Sequence, residues 1–164
     1  MTTTTNTPSR KVAISGAMVA AVLAIAGAIE HKWEPARDAN LGYWDAIGKV
    51  ATACEGHTGG VIVGHRYTDA QCAEWKRQDN MQAISVVNRC IHVPLTAGQG
   101  GALTDGVYNL SPALVCGSSL QTMVNAGIPA SRWCLQLRRW VYGGGYKLRG
   151  LVDRREDDLK ACLQ

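Results

Sequence analysis

Between Val12 and Ile29 the chain runs for 18 residues without a charge, directly after Arg10-Lys11. A helix of that length spans about 27 Å, just enough to cross the hydrocarbon core of a bilayer. Ten of the 18 residues are Ala, Gly or Ser, so the hold of such a helix on lipid is weak. The basic pair places the N-terminus on the cytoplasmic side. The segment fits a cleaved signal peptide, because Ala26-Gly27-Ala28 resembles a small-residue cleavage site. It also fits a permanent anchor, a temporary anchor that is inserted and later released, or the core helix of a soluble protein. The temporary anchor best accounts for the Ala and Gly content. The first three readings carry the rest of the chain outside the cytoplasmic membrane.

The cysteines agree with an oxidising destination. Cys54, Cys72, Cys90, Cys116, Cys134 and Cys162 are even in number, widely spaced and free of any CxxC pair. That pattern favours three disulfides over a metal site. His31, His57, His65 and His92 form no HxxxH or HxH pair, so no metal or cofactor is expected. The formal net charge is +4 with 18% charged residues, which is mild. No basic run interleaved with aromatics appears, so nucleic acid is not an expected partner. A basic surface suits solubility and would also favour an anionic partner such as cell wall, nucleic acid or a lipid surface.

The chain divides into a polar tail at 1–11, expected to be disordered and cytoplasmic, a weakly hydrophobic signal-anchor helix at 12–29, and a folded domain at 30–164. His31–Arg37 should prolong the first helix until Pro35 stops it. Residues 41–64 are rich in Gly, Val and Ile and suggest a small β-hairpin. Thr68-Asp69-Ala70-Gln71 is a capping-box start for a helix running to about Cys90, with Trp75, Ile84, Val87 and Cys90 inward. Further helices are expected over 98–109, after Ser111-Pro112, over 119–125, over 129–141 and over 151–163, each punctuated by Pro or Gly. The fold class is α+β: a mostly helical domain with a small β-hairpin lobe, preceded by an N-terminal apolar helix.

The stretch 34–59 carries the chemistry. Cleaving a glycosidic bond takes a proton donor for the leaving oxygen and a second group that manages the sugar cation or the attacking water. Glu34 lies between Trp33 and Pro35, where an apolar wall would keep a carboxyl protonated. Asp45 follows Tyr43-Trp44 in a turn closed by Gly48, and a turn carboxylate can remain an anion. Thr52 offers a hydroxyl to hold a water against Asp45. Each also has an ordinary reading: a Glu at a membrane edge, and an Asp capping turn amides.

The order of these residues is similar to a known pattern. Glu34, then Tyr43-x-Asp45-x-x-Gly48, then Thr52-x-Cys54-x-Gly56-His57-Thr58-Gly59 resembles the active-site signature of phage lysozymes of the T4 type. Among them it looks most like lambdoid endolysins with signal-arrest-release anchors. Tyr67-Thr68 with Cys72, Gln99 through Asp105 with Tyr108-Asn109, Cys116-Gly117-Ser118-Ser119-Leu120, and Gly144-Gly145 through Leu148-Arg149-Gly150-Leu151 to Arg154-Arg155-Glu156 match the same family in order. The set covers nearly all of residues 12–162.

The resemblance implies a lysozyme-like fold and a muramidase that hydrolyses the β-1,4 bond between N-acetylmuramic acid and N-acetylglucosamine with inversion. Peptidoglycan glycan strands would be the substrate, and the bacterial inner membrane, through residues 12–29, a partner before release into the periplasm. A monomer is expected. Glu34 would be the general acid. Asp45 would orient the water or stabilise the cation, and Thr52 would position that water. Gln99 and Asn109 would line the glycan cleft, or else brace local structure. Arg154 and Arg155 would form a solvated helix face paired with nearby acids, or touch the wall polymer. Cysteine pairing would follow sequence order. Three departures stand out: Glu34-Pro35 replaces the usual Glu-Gly, the Glu-to-Asp span is two residues longer than usual, and the Asp-to-Thr span is one longer. Glu30 is therefore the fallback acid. A non-catalytic wall-binding protein on the same scaffold and a lytic transglycosylase are the competing functions.

Overall fold

The computed structural model describes residues 12–33 and 40–164. The expected tail at 1–11 and the residues 34–39, Glu34 among them, lie outside these described residues. Helix α1 is Val19–Trp33, entered through a 3-10 turn at Gly16–Met18. The strands β1 (Tyr43–Asp45) and β2 (Val50–Thr52) pair antiparallel, as the Gly-rich region suggested. Helix α2 is Asp69–Cys90 and α3 is Ala97–Asn109. Thr68 caps α2 by accepting the Gln71 N–H. The complete capping box belongs to α3, where Thr96 and Gln99 exchange side-chain bonds with each other's backbone.

Next come α4 (Ser119–Asn125), the one-turn α5 (Ala130–Trp133) and a 3-10 stretch at Cys134–Arg139. The single helix expected over 129–141 is thus broken into two short pieces. A second hairpin, β3 (Tyr142–Gly143) with β4 (Tyr146–Lys147), then leads into α6 (Arg149–Cys162). This hairpin was not anticipated from the sequence. Its turn residues Gly144 and Gly145 have φ of 57° and 86°, the two positive values that a tight primed turn demands.

Everything is arranged around α3. Nine of its residues are buried, because α1, α2 and α6 all pack against it. Glycines make that crowding possible. A Cβ at Gly101 would lie 2.5 Å from Ile25 Cγ2, and one at Gly98 would lie 2.2 Å from the Ala161 carbonyl oxygen. Each glycine inside a helix costs about 1 kcal/mol relative to alanine, which the closer packing must offset.

The apolar N-terminal segment is part of this packing. Ala13, Ile14 and Val22 are core residues, and Ala26 and Ile29 are also buried. Asn88 of α2 holds Ile14 from both sides, accepting its N–H at 2.7 Å and donating to its carbonyl at 3.1 Å. The far end of α1 is pinned to α6, where Asp157 accepts from Lys32 at 2.6 Å and from the Trp33 indole at 2.7 Å. Gly16–Trp33 is nevertheless long and apolar enough to cross a membrane by length and composition. Three disulfides, Cys54–Cys72, Cys90–Cys116 and Cys134–Cys162, close the expected pattern.

Candidate active site

Strand alternation decides which side chains of the first hairpin can act together. Tyr43 pairs with Thr52 and Asp45 with Val50, while Trp44 pairs with Ala51 in between. With a period of two, Tyr43, Asp45, Val50 and Thr52 share one face and Trp44 takes the other. All four line a cavity of about 740 Å³ between the hairpin and the helical body. Trp44 does not line it and is 59% exposed on the outer side.

Asp45 closes its own turn, its Oδ1 accepting the Ile47 N–H at 2.9 Å. The ordinary role considered for this residue is therefore present, and the same carboxylate lines the cavity. A Cβ at Gly48 would lie 2.8 Å from Asp45 Oδ2, so a larger residue there would push the carboxylate aside. Thr52 is buried at the cavity wall, its hydroxyl 3.4 Å from the Val50 carbonyl oxygen.

The hairpin is braced from beneath. His57 Nδ1 lies 2.7 Å from Asp79 Oδ2 and its Nε2 lies 2.8 Å from the Gly59 carbonyl. Its ring stacks on Trp75 at 4.2 Å. His57 is thus a structural strut, as its place after a glycine suggested. Glu55 is held by His31, Lys76 and, at its backbone carbonyl, the Tyr108 hydroxyl. Burial raises the Glu55 carboxyl, but the hydrogen bonds from His31 and Lys76 outweigh it and hold it below its ordinary range.

On the helical side, Asn109 lines the cavity and its Oδ1 accepts from Arg155 at 3.2 Å. Arg154 and Arg155 are not on a solvated face. They are 2% and 0% exposed and converge on Asp105, which takes Arg154 through two bonds of 3.0 and 2.7 Å and Arg155 through one of 3.1 Å. Asp158 completes the cluster at 2.8 Å from Arg155 Nε, and its own burial pushes its carboxyl well above the usual range. Arg154 and Arg155 are buried because α6 packs its inner face on α3, so neither reaches a wall polymer.

Gln99 takes the second of its two expected roles, bracing local structure. It lies at the N-terminus of α3, its Oε1 accepting the Thr96 N–H at 3.0 Å, and it is absent from the cavity lining. Glu30, the fallback acid, is fully buried and also absent from the lining. Burial raises its carboxyl to about 7, against the opposing pull of an Asn80 hydrogen bond at 2.9 Å. Asp79, Gln82, Tyr108 and Tyr142 line the cavity without having been singled out as lining residues. Tyr108 carried a usable signal in its place beside Asn109, and Tyr142 a fainter one two residues before Gly144-Gly145. Among the described residues no group of three or more His, Cys, Asp or Glu side chains is placed to hold a metal ion.

This arrangement has counterparts. The phage lysozyme profile matches residues 32–158, well over half of the chain.

The chain belongs to the phage lysozyme family.

This phage lysozyme is 37% identical over 122 residues to the SAR-endolysin of Bacteriophage PS119, an alignment covering 74% of this chain and 72% of that one. It is 34% identical over 155 residues to the SAR-endolysin of Pseudomonas phage phiKMV, covering 92% and 91%. Its fold matches the active form of the P1 phage endolysin Lyz at a TM-score of 0.74, over 93% of this chain and 95% of that one. That likeness, at 22% identity, is one of fold. Membership makes the protein a lysozyme-type glycoside hydrolase and an endolysin.

Proposed function

We propose that this lysozyme hydrolyses the β-1,4 bond between N-acetylmuramic acid and N-acetylglucosamine in bacterial peptidoglycan, with Glu34, Asp45 and Thr52 as its working residues. The carrying observation is that β1 and β2 deliver Asp45 and Thr52 onto one face of a single large cavity. Glu34 follows directly on Trp33, whose indole is pinned to α6. In this reading Glu34 gives its proton to the leaving glycosidic oxygen. The Asp45 carboxylate orients a water on the opposite face of the sugar, and the Thr52 hydroxyl holds that water. Asn109 reaches the glycan from the helical side, steadied by Arg155. The product anomer is inverted.

Turbidity of a peptidoglycan suspension tests the assignment. Wild type should clear it, and Glu34→Gln and Asp45→Asn should each slow clearance by about 100-fold or more. Equal clearance by Glu34→Gln would remove Glu34 from the acid role. Products ending in 1,6-anhydro sugars would overturn hydrolysis altogether.

We further propose that residues 12–29 first serve as a membrane anchor and then, on release, take up the packed position at the core, carrying the enzyme from the inner membrane into the periplasm. The division at residue 29 is then one of role, because anchor and core are the same segment at different times. Glu34 lies five residues past Ile29, within about 17 Å of the membrane while the helix is inserted. The hydropathy of Gly16–Trp33 and the burial of Val22, Ala26 and Ile29 both support this reading. A Cβ at Gly16 would meet nothing within 4 Å and one at Gly27 only Lys76 Cε at 3.9 Å, so neither position is closed to a Cβ in the packed form. Gly16→Leu with Gly27→Leu should retain the protein in the membrane fraction and delay lysis. Unchanged fractionation would sink the release model.

A further inference from the structure

The second hairpin presents an aromatic ring that nothing in the reaction requires. Tyr142 lines the cavity and is 62% exposed. Among the described residues no hydrogen bond or ring contact holds its side chain. Its backbone is the reverse: Tyr142 pairs with Lys147 across the ladder, Leu148 donates to the Val141 carbonyl at 2.9 Å, and the Gly144-Gly145 turn fixes the strand ends. A rigid mount therefore carries a ring left open to water.

The place of that ring is specific. Next to it, a Cβ at Gly143 would lie 2.8 Å from Leu148 Cδ1 and 3.5 Å from Ile47 Cγ2, so the tip of the first hairpin comes up against the second. Ile47 lines the cavity too and is 59% exposed. The mouth of the cavity thus has an apolar rim with one contributor from each hairpin. The other lining tyrosines differ: Tyr43 and Tyr108 are partly buried, and the Tyr108 hydroxyl is spent on the Glu55 carbonyl. Exposed apolar surface on a rigid element inside a cleft is stabilised when a flat apolar partner covers it. The C–H face of a pyranose ring is such a partner.

We infer that Tyr142 is a glycan-binding residue that stacks on the face of one N-acetylhexosamine unit at the cavity mouth, gripping the strand while taking no part in bond cleavage. The inference rests on the glycan-cleaving reading of the cavity. It assigns the phenol ring, not its hydroxyl, to binding, and it makes the second hairpin a substrate clamp.

The probe is a preparation of soluble glycan strands of alternating N-acetylglucosamine and N-acetylmuramic acid, stripped of peptide. Tyr142→Ala should raise KM about tenfold and leave kcat within about twofold. Tyr142→Phe and Tyr142→Trp should keep wild-type KM, and Tyr142→Leu should behave as Ala does. Tyr146→Ala is the control, since Tyr146 is 76% exposed on the partner strand and absent from the lining. It should change nothing. Equilibrium binding of the same strands, read by intrinsic fluorescence, should weaken about tenfold in Tyr142→Ala whether or not the strands are cleaved. An unchanged KM and affinity in Tyr142→Ala overturns the inference, as does a Tyr142→Phe variant as impaired as Ala, or a loss confined to kcat. Failure of wild type to cleave the strands would instead overturn the muramidase reading, and the binding comparison would still judge Tyr142.

Discussion

Asp105 illustrates how a single carboxylate can hold two elements together and reach the site indirectly. It is fully buried against two buried guanidinium groups, and one of these, Arg155, also donates to Asn109 in the cavity wall. Replacing it with a neutral isostere leaves two buried cations short of their counter-charge, a change worth about 3–5 kcal/mol in stability. Asp105→Asn is therefore expected to shift the urea midpoint sharply downward. Glu30 makes the opposite case. Asn80 of α2 donates to it, the charges of Asp105 of α3, Lys76 of α2 and Arg154 of α6 act on it, and burial dominates their sum, raising its carboxyl from 4.5 to about 7. The folded state therefore binds a proton more tightly than the unfolded one. The stability tied to that proton is whole below pH 4.5, declines as pH rises towards 7, and is gone above it. The loss is at most about 3 kcal/mol. Glu30→Gln should flatten the pH dependence of unfolding between these limits and be the more stable protein at pH 8. The motif around Asp45 and Thr52 was legible in the sequence because its spacing is local. The surroundings of Glu30 were not, since its partner Asn80 lies 50 residues away.

At the level of elements, α3 and α1 are fitted to each other residue by residue. Gly101→Ala adds helix propensity worth about 1 kcal/mol, yet its Cβ would meet Ile25 Cγ2 at 2.5 Å and Cβ at 2.7 Å. Overpacking should win, with a net loss of about 1–3 kcal/mol in denaturant unfolding. Gly150→Ala in α6 meets nothing within 4 Å, so it should stabilise by about 0.5–1 kcal/mol in the same assay. The contrast separates packing from propensity. Apart from Val12 at its start, the exposed positions of the N-terminal segment are Gly16 and Ala17, Ala20, Ala21, Ala24 and Ala28, while Ile14, Val22 and Ile29 face inward. Small residues on the outer face limit the apolar area shown to water, which gives the Ala and Gly content a second reason beside weak anchoring. The helix start at Thr68 was readable from its capping residue. The β3–β4 hairpin was not foreseen because each strand has only two residues, too few for any alternation to show.

Across the whole molecule, the three disulfides join parts that the helices alone leave loosely connected. Cys54–Cys72 ties the loop after β2 to α2, and with it the support of the first hairpin. Its closed loop of 18 residues corresponds to about 3 kcal/mol in the chain-entropy account. The Cys54→Ser, Cys72→Ser pair should lower the thermal midpoint and reduce activity before global unfolding, because the hairpin loosens first. Equal midpoints for hairpin and body would contradict that order. What the sequence determined alone was everything carried by local pattern: a span long enough for lipid, cysteines fit for an oxidising compartment, capped helices, and an acid–aspartate–threonine order. The tertiary structure decided the rest. It turned the apolar span into core, buried Arg154 and Arg155 on Asp105, moved Gln99 to a cap and brought Ile47 against Gly143. These outcomes depend on how rigid elements meet across long chain separations, and side-chain contacts of that range leave no period or spacing in the sequence to read.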